Sequence, residues 1–154
     1  MKRIVKRKTL LLPLLALIFI IAFTACDKED DVDVVDDNII QDYIEVYELE
    51  ATKTGSGLYY VIEEPGTSQK PTLSSEVRVT YTGKLVDGDV FDSGTRTFAL
   101  NTLIPGWQEG LQLFGKGGKG ILLVPSRLGY GSNPPAGIPP NAVLIFNIYL
   151  IDVK

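Results

Sequence analysis

The chain has 154 residues, a net charge of −4, a single cysteine (Cys26) and no histidine, a length that suits one modest domain with extensions. The missing histidines exclude Ser-His-Asp and Cys-His machinery and histidine-ligated zinc, so any chemistry must use carboxylates, hydroxyls, lysines, aromatic rings and backbone; no metal site or cofactor is expected. Residues 27–50 hold eleven acids against Lys28, a net of −10, while residues 51–154 sum to +1; that balance disfavours nucleic acid, whose phosphates need a basic patch.

In chain order, Met1 to Lys8 carries five basic residues and Leu10 to Phe23 is an apolar run of 14. That run is short for a membrane span of ~20 residues. With Thr24-Ala25 after it, residues 1–25 read as an export signal. The stretch FTAC resembles a bacterial lipobox, with Phe23 in place of the usual leucine, and implies that Cys26 is lipidated. A lipid anchor holds a protein at a membrane without spanning it. The expected location is therefore the bacterial outer membrane, on its periplasmic face or at the cell surface. CDKEDD then reads either as a surface-export signal of the kind found on some Gram-negative lipoproteins or as a generic acidic spacer.

Residues 26–55 read as an acidic tether that repels itself and stays extended. Within it, Ile39, Ile40, Tyr43, Ile44 and Tyr47 mark one face of a short helix over Asn38–Ala51, packed on the domain or on a partner. TKTGSG, Thr52 to Gly57, breaks that pattern. The spacing then predicts strands at Leu58–Glu63, at Glu76–Lys84 and, after an Asp87-Gly88 turn, at Val90-Phe91 and Thr97–Leu100. Pro105-Gly106 opens one helix with a buried stripe of Trp107, Leu111 and Phe114. Gly120–Pro125 reads as a strand buried on both sides. Val143–Val153 reads as a long strand with Leu144, Phe146, Ile148 and Leu150 on one face. The fold class is α+β, an antiparallel sheet curling around one short helix over residues 56–154.

Five segments, VTYTGKL, VFDSG, LIPGWQEGLQLF, ILLVPSRLGYG and GIPPNAVLIFNIYLI, carry a resemblance to the FKBP-type peptidyl-prolyl cis-trans isomerases over residues 76–154. The resemblance implies a half-barrel sheet wrapped on the helix and a pocket between them. Matched position by position, Asp92, Tyr130, Phe91 and Trp107 would be catalytic. Tyr81, Leu103, Ile104, Ile138 and Phe146 would bind substrate, with Trp107 as the floor. The implied partners are proline-containing polypeptides and, as inhibitors, macrolides. The chemistry suits the composition, since rotating an X–Pro bond needs no metal, covalent adduct or proton transfer to solvent.

Plain alternatives exist for each residue. Trp107, Phe91 and Phe146 could be core, Tyr130 could pack on its own loop, and Asp92 could cap the Ser93-Gly94 turn. The chain also departs from the family on the rim. The stretch Gly94-Thr95-Arg96 is short, Arg96 stands near where some members have an aromatic residue, and Asn133-Pro134-Pro135 replaces a histidine of some members. A competing reading is a tethered module that binds proline-containing segments without turnover. A chaperone of the holdase kind is disfavoured, because the loop Ser126–Asn141 is too short for the large insert such members carry.

Overall fold

The computed structural model describes residues 28–154. The export signal read over residues 1–25 and the lipidation site Cys26 lie outside the described residues. The chain order is helix α1 (Lys28–Val46), strands β1 (Thr52–Lys53), β2 (Tyr59–Glu64), β3 (Glu76–Lys84) and β4 (Val90–Ala99), helix α2 (Pro105–Gly110), then β5 (Lys119–Val124) and β6 (Leu144–Val153). The six strands form one antiparallel sheet in the order β1-β2-β5-β6-β3-β4, open at both edges.

Side-chain alternation gives the sheet two apolar faces. Toward the inner face point Val77, Val79 and Tyr81 of β3, Leu122 and Val124 of β5, and Leu144, Phe146, Ile148 and Leu150 of β6. They pack on Trp107, Leu111 and Phe114, the predicted stripe of the second helix. That helix is shorter than its stripe suggests. α2 ends at Gly110 and tightens into a 3-10 turn over Leu111–Leu113. Gly106 and Gly110, one turn apart, let α2 lie close on β5. A Cβ on them would stand 2.5 Å from Val124 Cγ1 and 2.6 Å from Leu122 Cδ1.

The outer face carries Tyr59, Leu123, Val143 and Ile145, and α1 covers it with Ile40 and Tyr43. This corrects the reading of the acidic stretch as an extended tether, since it is helical from Lys28 onward. The physical reason lies in distant partners. Asp33 pairs with Arg127 Nε at 2.7 Å, and Asp37 pairs with Lys53 Nζ at 2.5 Å while accepting the Tyr59 hydroxyl at 2.8 Å. These contacts neutralise charge that would otherwise repel along the chain. The helix also stops before the predicted Ala51. Glu48 takes a left-handed conformation (φ 51°) and Leu49 N–H closes onto Ile44 O at 3.0 Å, a Schellman-type end.

A second correction concerns β4. Val90-Phe91 and Thr97 to Ala99 belong to one continuous strand, because Ser93 to Arg96 pair residue by residue with Thr82 to Val79, and Leu100 opens a 3-10 turn after it.

Candidate active site

The inner face is incompletely covered. A cleft of about 120 Å³ opens among β3, β4, the start of α2, the loop after β5 and β6. Tyr81, Phe91, Asp92, Leu103, Ile104, Trp107, Tyr130 and Phe146 all line it. Of the expected residues Ile138 does not. It is 9% exposed and belongs to the inner core, drawn in by a turn in which its N–H reaches Pro135 O at 3.3 Å.

Adjacent residues of a strand normally point to opposite faces, yet Phe91 and Asp92 both face the cleft. A bulge explains this. Gly83 pairs with Asp92 and Lys84 pairs with Val90, so Phe91 is the extra residue on β4. Gly83 completes the arrangement by leaving room for two rings. A Cβ there would lie 2.6 Å from Phe91 Cζ and 2.8 Å from Phe146 Cε1.

Trp107 is the floor. Three rings stand edge-on to its indole: Tyr81 at 5.1 Å and 87°, Phe146 at 5.2 Å and 84°, and Phe98 at 5.9 Å and 86°. Edge-to-face contacts of this kind add to the gain from burying the rings. Phe91 extends the wall by meeting Phe146 at 5.6 Å and 89°. The Trp107 Nε1 is buried without a hydrogen-bond partner among the described residues.

The polar groups gather at the rim. The Tyr81 hydroxyl donates to Asp92 Oδ2 at 2.6 Å, and Arg96 Nη2 donates to Asp92 Oδ1 at 3.2 Å. Both carboxylate oxygens are thus held in place. Burial, reinforced by the bond to Asp92, pushes the Tyr81 phenol up to about 12, so it stays protonated at neutral pH. Tyr130 is also raised, by burial first and then by the negative charge of Asp92. The site therefore presents an aromatic slot with two tyrosines, an arginine and one oriented carboxylate at its mouth.

Two further residues that the sequence motifs do not mark as site residues also line the cleft, Arg96 and Phe98. The signal that could have found them is strand parity. Asp92, Arg96 and Phe98 share one face of a continuous β4, and dividing that strand hid the relation.

Comparison with known proteins places this geometry in a family. The profile of the FKBP-type peptidyl-prolyl cis-trans isomerases matches residues 67–151. The FKBP-type peptidyl-prolyl cis-trans isomerase FkpA of Escherichia coli (strain K12) is 46% identical over 108 residues, covering 66% of this chain and 40% of that protein. Outer membrane protein MIP of Legionella longbeachae is 48% identical over 105 residues, covering 64% of this chain and 45% of that protein. This chain thus spans less than half the length of these relatives. The crystal structure of FkpA from Escherichia coli superposes with a TM-score of 0.72 at 36% identity, covering 82% of this chain and 62% of that one. The matched segment contains β3 to α2, β5 and the cleft they build, and on that ground the chain belongs to the FKBP-type peptidyl-prolyl cis-trans isomerase family.

Proposed function

We propose that the cleft accelerates cis-trans isomerisation of X–Pro bonds in proteins folding outside the cytoplasm. The observation that carries this reading is the separation of roles within the cleft. Apolar rings form its floor and walls, while the Tyr81–Asp92 hydrogen bond is confined to its rim.

Rotation about an X–Pro bond meets a barrier of ~18–20 kcal/mol, because conjugation between nitrogen and carbonyl holds the amide planar. Water stabilises that planar, charge-separated form. Seating the proline ring over Trp107, between Tyr81, Phe91 and Phe146, removes water from the bond and disfavours planarity. The carbonyl before the proline meets the rim. There the Tyr130 hydroxyl donates to it, and Asp92 fixes the polar edge by holding Tyr81 and Arg96. Donors set in advance act without reorganising during the rotation. No proton is lost to solvent and no covalent bond is made. Unassisted isomerisation takes ~10–100 s at 25 °C, so exported chains have a slow step for such a catalyst to shorten. Leu103 and Ile104 complete the apolar wall, and Arg96 sets the substrate preference and macrolide affinity of the rim.

Acylation of Cys26 would hold this activity at a membrane, as FTAC suggests. Cys26→Ser should abolish acyl-chain labelling and release the protein from the membrane fraction; unchanged labelling would remove the anchor from the proposal.

The activity is tested by isomerisation of a short Xaa-Pro peptide with residues 27–154, and with Asp92→Val alongside. Acceleration that the substitution removes supports the proposal. A folded protein that binds proline peptides without accelerating them would be a recognition module instead.

A further inference from the structure

The polar seam between α1 and the domain meets the Tyr130 loop at Ser126. Asp36 is 1% exposed, and its Oδ2 accepts both the backbone N–H and the hydroxyl of Ser126, each at 2.7 Å. Ser126 is equally buried and opens the one-turn 3-10 helix Ser126–Leu128. Its carbonyl accepts from Gly129 N–H at 3.0 Å and from Gly131 N–H at 2.9 Å. Those glycines flank Tyr130. One residue is therefore held by Asp36 on one side and holds both neighbours of Tyr130 on the other.

A buried carboxylate is costly unless its oxygens are satisfied, and no ion pair among the described residues involves Asp36. Solubility or helix formation alone does not require an acid at this position. The seam continues to α2. Arg127 joins Asp33 to the Ser56 carbonyl, and the Ser56 hydroxyl donates to Glu109 Oε2 at 2.5 Å, two residues beyond Trp107.

We propose that Asp36 is a positioning residue for the isomerase site, through which α1 holds the Ser126–Gly131 turn and sets the Tyr130 hydroxyl over the cleft. This rests on the isomerase reading above for its catalytic consequence, but not for the placement of the turn. α1 is then part of the catalytic unit rather than a spacer between it and the membrane.

The test uses the full chain in detergent, with Asp36→Ala, the milder Ser126→Ala, and each combined with Tyr130→Phe. Peptide isomerisation should fall about fivefold in Asp36→Ala and no further than in Tyr130→Phe, since small displacements of a catalytic group are costly. In the Tyr130→Phe background the same change should cost less than about twofold, because the hydroxyl being positioned is gone. Ser126→Ala should show the same pattern at smaller size. Amide exchange across residues 126–131 should quicken about tenfold in Asp36→Ala while β3 and β6 keep their protection. An equal loss of activity in both Tyr130 backgrounds, or exchange that rises throughout the sheet, would show a merely structural role and overturn the proposal. If the wild type does not accelerate isomerisation, the isomerase reading fails, and the exchange measurement alone decides whether Asp36 orders the turn.

Discussion

The two faces of the sheet are each covered by one helix, and the helices differ threefold in length. α1 has 19 residues, about 28 Å at 1.5 Å per residue, and α2 has six, about 9 Å. The long helix closes the patch of the outer face beneath it, leaving Ile40, Leu123 and Ile145 with no exposure. The short one leaves part of its face open, where Phe91, Phe98, Leu103 and Ile104 are only partly buried around Trp107. The same strand alternation thus yields a closed second core beneath α1 on one side and an open aromatic cleft on the other. The site exists because α2 is too short to cover the aromatic residues beneath it.

The comparison can be broken first at Trp107. Trp107→Ala should lower stability by about 3–5 kcal/mol and abolish activity, since floor and core are one residue; a denaturation midpoint within error of wild type would sink that view. Ile40→Ala beneath α1 should cost about 2–5 kcal/mol, with turnover per folded molecule kept within a factor of about two. Denaturant titration and peptide turnover on one sample separate these outcomes. Asp92→Val at the rim should invert the pattern. Removing the carboxylate that holds Tyr81 and Arg96 should lower turnover roughly 10- to 100-fold, at a stability cost of about 1.5–3 kcal/mol, below that of Trp107→Ala. Tyr130→Phe should cost about 0.5–1.5 kcal/mol in the same assay, a neutral hydrogen bond's share.

The smallest effect is on pH dependence. The Tyr81 phenol is raised in the folded state, so above pH 10 the unfolded chain loses this proton before the folded one does. Its contribution to stability is fully present below pH 10 and is lost as pH rises toward 12. Thermal melts between those limits should fall less steeply for Tyr81→Phe than for wild type.

What could be read from the sequence follows the same division between the faces. β3 was legible to its ends because Val77, Val79 and Tyr81 alternate without interruption with exposed residues. The α2 stripe was legible because Trp107, Leu111 and Phe114 need only helical spacing. β4 was not, because Ser93-Gly94-Thr95 has the composition of a turn and its strand character comes from pairing with β3. That error concealed Phe98. The start of α1 was hidden for a related reason. Its aspartates look solvated until Lys53, Ser126 and Arg127, far along the chain, are brought beside them. The family motifs located most of the cleft, but they carry no trace of Asp36, whose partner lies 90 residues away.

The strand order has a consequence for biosynthesis. β6 follows every other strand in the chain, yet it lies between β5 and β3 in the sheet. Until it arrives, β1-β2-β5 and β3-β4 are two separate antiparallel fragments, and Phe146 is missing from the cleft wall. A polypeptide emerging amino end first from a ribosome therefore cannot complete this domain until residues 144–153 have emerged. Such distant pairing is slow to form.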